Sequence, residues 1–120
     1  MALLSKKNND NTSNLSGNSQ LKIKVKKEGE EYTFSLDGRL DTITSPNLEE
    51  KINEVIDDAK KLIMNFSNLE YISSAGLRVL LGAVQAMEDK GEMVVCNPTP
   101  SVEEVFELTG FVNLFNIKNI

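Results

Sequence analysis

A chain of 120 residues is enough for one domain built round a single modest core. Thirteen basic against eighteen acidic side chains leave a net charge of -5, a surface that repels nucleic acid phosphates on average. Histidine is absent, which removes the usual general base near neutral pH, the imidazole metal ligand and every Ser-His or Cys-His pair.

Residues 1–19 are rich in Asn and Ser, show no hydrophobic periodicity and read as a disordered arm preceding a domain over 20–120. Leu3-Leu4 is too short for a hydrophobic targeting segment, and no run in the chain approaches the length of a membrane span, so a cytoplasmic protein is expected. From Leu21, apolar Leu21, Ile23 and Val25 alternate with Lys22, Lys24 and Lys26, the pattern of a half-solvated strand. Glu28-Gly29-Glu30 predicts a turn, and Tyr32, Phe34 and Leu36 continue the alternation, so the two strands should pair as an antiparallel hairpin that Asp37-Gly38 ends.

Ser45-Pro46 marks a helix start, with Ser45 as cap and Pro46 at the first helical position, where its missing N–H costs nothing. The helix is expected over 46–59, with Leu48, Ile52, Val55, Ile56 and Ala59 on one face and Glu49, Glu50, Glu54 and Asp57 on the other. Lys61 to Phe66 fits a central strand, parallel to the one before it through a right-handed crossover.

A second helix begins at Ser73-Ser74, presents Leu77, Leu80, Leu81, Val84 and Met87 to the core, and ends at Lys90-Gly91. Met93 to Cys96 supplies another buried strand; Cys96, the single cysteine, excludes an internal disulfide and reads as a small buried hydrophobe. After Asn97-Pro98, a short helix starts either from a Ser101/Glu104 capping box or from a Thr99 cap with Pro100 first, turns Val102, Val105, Phe106 and Leu108 inward, and stops at Gly110. Phe111, Leu114, Phe115 and Ile117 should cover a sheet edge or one end of the core. The expected fold class is α/β: one mixed sheet of four to five strands with helices mainly on one face.

The residues that could carry function gather where strands run into helices. A serine at Ser74 puts a hydroxyl beside the unpaired N–H groups of a first helical turn, where capping alone would account for it at about 1 kcal/mol. Small Ala75 and Gly76 leave little bulk around it, and no carboxylate stands beside the serines or in the first turn. A phosphate there would bring roughly -1.5 to -2 charges to a helix terminus able to accept an anion, altering a docking face without unfolding it. Asp41, in the loop leaving the second strand, should lie at the same end of the sheet. It could orient a hydroxyl, meet a partner's cation, or simply cap the N–H groups of Ile43 or Thr44. Thr42, Thr44 and Ser45 share that loop, Arg39 and Arg78 could form rim ion pairs, and Gly82-Ala83 could admit a neighbouring helix or another protein. Paired catalytic carboxylates, a glycine-rich phosphate loop and metal-ligand spacing are not visible, so no catalytic, cofactor or metal residues are assigned and an enzyme is not expected.

Four segments in this order, Gly38-Arg39-Leu40-Asp41, Leu69 to Leu77, Gly91 to Cys96 and Val105 to Gly110, give the chain a resemblance over roughly 21–117 to the STAS family, specifically to bacterial anti-sigma factor antagonists. The resemblance implies a cytoplasmic switch that binds an anti-sigma factor, often also a serine kinase of the histidine-kinase-like ATP-binding fold. It would let go when a serine at the start of the second helix is phosphorylated, and a serine phosphatase would restore it. On this chain the acceptor matches Ser74. Ser73 stands where an aspartate is usual and becomes a rival acceptor, Ala75 replaces a common second hydroxyl, and Asp41 matches an acidic residue of partner recognition. Arg39 stands where a glutamate is frequent. Thr42, Gly76 and Arg78 complete the implied partner-binding set, with no direct contact to nucleic acid or membrane. The alternative is a STAS-type scaffold or ligand-sensing module of another signalling system.

Overall fold

Alternation of apolar residues, broken at defined points, builds the sheet. A computed structural model describes residues 21–120; the arm expected over 1–19 lies outside the described residues. Strand β1 (Leu21–Glu28) pairs antiparallel with β2 (Glu31–Leu40) in a register that sets Glu28 opposite Glu31. β2 then pairs in parallel with β3 (Lys61–Ile72), β3 with β4 (Glu92–Cys96), and β4 with β5 (Asn116–Lys118), giving the strand order β1-β2-β3-β4-β5. Helices α1 (Ser45–Val55), α2 (Ser74–Met87) and α3 (Pro100–Thr109) are the crossovers, and they lie on one face of the mixed sheet.

The core sits between that face and the helices. Tyr32, Phe34, Leu36 and Leu40 of β2 and Leu62, Met64, Phe66, Leu69 and Ile72 of β3 point into it, meeting Leu48 and Ile52 of α1, Leu77, Leu80, Ala83 and Met87 of α2, and Val102 and Phe106 of α3. Ala83 takes the inward position that the sequence reading assigned to Leu81, which is only half-buried. Val55 and Ile56 pack against the core without entering it.

Several boundaries depart from the sequence reading, among them the ends of β2, β3 and α1. Asp37-Gly38 bends β2 without ending it: Gly38 adopts a φ of 121°, the register to β3 shifts on either side, and pairing resumes at Arg39 and Leu40. Because β2 continues, β3 also runs on past Phe66 to Ile72. Helix α1 ends at Val55, earlier than expected; Glu54, Asp57 and Asp58 crowd the negative end of its dipole, and the Lys90 ammonium donates to the Ile56 carbonyl there.

Of the two registers left open for α3, the structure has Thr99 at the cap position and Pro100 first. The Thr99 hydroxyl does not cap but donates to the Leu69 carbonyl at 2.8 Å, tying α3 to β3. Gly110 ends the helix with a φ of 82°. In the terminal segment Phe111 and Ile117 pack against the core, whereas Leu114, expected to cover it, is exposed. Phe115 is buried edge-on against Phe106 with ring centroids 5.2 Å apart, and Asn116–Lys118 extends the sheet beyond β4. Cys96 is buried, and burial pushes its thiol pKa up against the opposing pull of Lys61 and Lys118. Among the described residues no helix is long and apolar enough to cross a membrane.

Candidate functional site

Parallel pairing of β2 with β3 brings two strand-to-helix junctions side by side. Leu40 pairs with Ile72, and the Ser73 N–H donates to the Leu40 carbonyl at 2.9 Å, so the loop after β2 and the start of α2 share one end of the sheet.

The first junction is closed by its own side chains. Asp41 Oδ1 accepts from the N–H groups of Ile43 and Thr44, both at 3.0 Å, the pairing its capping role predicts. Thr44 Oγ1 accepts from the Asp41 N–H at 2.9 Å and stands 2.8 Å from the Arg39 carbonyl and 3.1 Å from Asp41 Oδ1, the two acceptors its proton can serve. Partial burial raises the Asp41 pKa, but the Thr44 N–H and hydroxyl, the Ile43 N–H and the Arg39 charge outweigh it and hold the carboxyl below its ordinary value. The helix therefore begins one residue before the position expected: Thr44 is the N-cap, Ser45 is already helical, and Pro46 falls in the first turn.

The second junction is simpler. Ser73, extended at φ -98° and ψ 175°, is the N-cap of α2, and its Oγ accepts from the Gly76 N–H at 3.3 Å. The capping role considered for Ser74 thus belongs to its neighbour. Ser74 is the first helical residue, exposed, and its hydroxyl makes no hydrogen bond among the described residues. No acidic residue occupies the first turn of α2.

Gly76 is buried, and its small size serves the interior. An added Cβ would come within 2.8 Å of Leu40 Cγ and 2.9 Å of Ile72 Cγ1, so glycine lets the first turn of α2 rest on the ends of both strands. Ala75 is half-buried, while Thr42 and Arg78 are exposed. Thr42, Ser45, Pro46, Glu49, Ala75, Arg78 and Val79 line an open recess of about 190 Å³ between the starts of α1 and α2. Ser45 is buried there, its hydroxyl without a partner among the described residues.

Neither arginine forms an ion pair among the described residues. Arg39 instead lies over the Tyr71 ring, 4.2 Å from its centroid. Gly82 faces open space, where an added Cβ would meet nothing within 4 Å, so close helix packing does not explain it. Two side chains at this end were not singled out from the sequence: Ile43 is 78% exposed and Tyr71 39%. An isoleucine set among Asp41, Thr42, Thr44 and Ser45 was the available signal, since a polar loop has no core reason to carry it.

A mixed five-stranded sheet crossed on one face by helices is the architecture of a STAS-type α/β domain. The STAS domain pattern matches residues 22–119, and the chain belongs to that family. It is 38% identical over 86 residues to BtrV of Bordetella bronchiseptica, a candidate anti-sigma factor antagonist, covering 70% of this chain and 74% of that one. The anti-sigma-B factor antagonist of Staphylococcus aureus is 26% identical over 99 residues, 81% of this chain and 92% of that one. Among solved structures, an anti-sigma factor antagonist from Mycobacterium paratuberculosis superposes with a TM-score of 0.78 at 25% identity, covering 87% of this chain and 90% of that one.

Proposed function

We propose that this protein is an anti-sigma factor antagonist, one that binds an anti-sigma factor with serine kinase activity while unphosphorylated and is released when Ser74 is phosphorylated. The observation that carries the reading is the division of labour at α2: Ser73 supplies the cap, which leaves the exposed Ser74 hydroxyl uncommitted. The relatives named as anti-sigma factor antagonists support the same role.

In the reaction, the γ-phosphoryl group of ATP passes to Ser74 Oγ, the hydroxyl proton leaves, and ADP departs from a kinase of the histidine-kinase-like ATPase fold. A serine phosphatase later returns the hydroxyl with water and releases inorganic phosphate. The antagonist is substrate and ligand in this cycle and performs no catalysis of its own. It works in the cytoplasm without a cofactor.

The docking face combines exposed Ile43 and Tyr71 with Thr42, Ala75 and Arg78 around Ser74. A dianion at Ser74 would sit at the positive end of α2, so the fold accommodates it, while a partner packed on this face must desolvate it.

The test is incubation with the cognate kinase and ATP, mapping of the modified residue, and measurement of partner affinity before and after. Ser74→Ala should keep binding and lose phosphate-dependent release; Ser74→Asp should weaken binding. Equal affinity of the two forms, or labelling confined to Ser73 or another position, refutes the reading.

A further inference from the structure

The chain has two arginines, both at the end of the sheet that carries Ser74, and the structure uses them differently. Arg39 is stacked on Tyr71. Arg78 is exposed, has no ion-pair partner among the described residues, and follows Ser74 by four residues on α2. Residues four apart share a helix face, and an acid placed N-terminal to a base is the favourable order.

Among the described residues, the charged groups near this end include Asp41, Glu49 and Glu70. The Asp41 carboxylate is held by the N–H groups of Ile43 and Thr44, and Glu49 shares with Arg78 the recess between α1 and α2 without pairing to it. Of the two arginines at this end, Arg78 is the one with neither an ion pair nor a stacked ring among the described residues.

We infer that Arg78 is the arm through which phosphorylation acts. In the unphosphorylated protein Arg78, which lines the recess, receives an acidic side chain of the partner; phosphate on Ser74 captures its guanidinium within the same helix. The inference rests on reading Ser74 as the acceptor.

A guanidinium and a phosphate meet through two parallel charge-assisted hydrogen bonds, and capture inside one helix needs no association of separate molecules. Release then has two parts: the new dianion repels the partner's carboxylate, and the cation that carboxylate used is withdrawn. The exposed hydroxyl of Thr42, on the same recess, offers the partner's acid a second donor.

The test uses full-length protein with phosphoserine installed at position 74 during translation, so that no kinase is needed. Phosphorus NMR follows the second ionisation of the phosphate, which lies near 6 for a free phosphoserine. Pairing with Arg78 should place the wild-type midpoint roughly half a unit below that of Arg78→Gln, with Arg78→Lys between them. Coincident midpoints in wild type and Arg78→Gln overturn the capture.

The second arm measures affinity for the anti-sigma factor used to test Ser74. Unphosphorylated Arg78→Gln should bind roughly tenfold more weakly than wild type, and phosphorylation should cost it correspondingly less. An undiminished phosphorylation penalty in Arg78→Gln overturns the proposal. Labelling of a residue other than Ser74 would instead sink the functional reading, and the NMR arm would still report on capture.

Discussion

The two strand-to-helix junctions lie side by side and are built on opposite terms. The turn from β2 into α1 holds a carboxylate with two backbone donors and uses a buried threonine hydroxyl to tie the loop to the Arg39 carbonyl or to that carboxylate. The passage from β3 into α2 relies on one 3.3 Å cap from Ser73 and on close packing under Gly76. The first holds its shape through polar contacts and the second through fit to the strands beneath, which leaves Ser74 on the outer face of the second exposed.

The comparison breaks most clearly at Gly76. Gly76→Ala forces a methyl group against Leu40 and Ile72 and should destabilise the protein by about 1–3 kcal/mol in urea unfolding, with α2 lifted from the sheet. A cost below about 0.5 kcal/mol would mean that the second junction does not depend on fit.

Next comes Asp41→Ala, which strips the caps from Ile43 and Thr44 and should cost about 1–2 kcal/mol. The same contacts give this junction an acid dependence. Because the folded-state pKa of Asp41 lies below the ordinary 3.8, its contribution is complete above that value and is lost as pH falls through the lowered one. The stability gap between wild type and Asp41→Asn should therefore narrow on acidification below about pH 4, as read from urea midpoints at each pH.

The smallest effects sharpen the contrast within α2. Ser73→Ala should cost about 0.5–1 kcal/mol through loss of a long cap, whereas Ser74→Ala should stay within about 0.5 kcal/mol of wild type. A larger loss at Ser74 than at Ser73 would reverse the assignment of cap and free hydroxyl.

Much of this was legible in the residue pattern. Period-two and period-3.6 spacing identified β1 to β4 and all three helices, and Asp41 met the N–H groups its residue type suggests. Leu108, expected to face inward from α3, is exposed, and the other failures were local. Asp37-Gly38 carries the composition of a strand breaker, yet a glycine with positive φ serves equally as a bulge when the neighbouring strand continues to pair. Caps slipped by one residue at α1 and α2, because adjacent hydroxyls (Thr44-Ser45, Ser73-Ser74) are chemically interchangeable until the backbone selects one. The inward role of Gly76 depends on β2 and β3 ending together beneath α2, a tertiary fact that no local spacing encodes.

Strand β1 has a consequence for solubility. Among the described strands it pairs only with β2, leaving its outer edge unpaired, and it carries Lys22, Lys24, Lys26 and Lys27. Two copies meeting edge to edge would bring these like charges together, so the lysines discourage growth of the sheet into filaments. The chain is thereby hindered from pairing with itself along this margin.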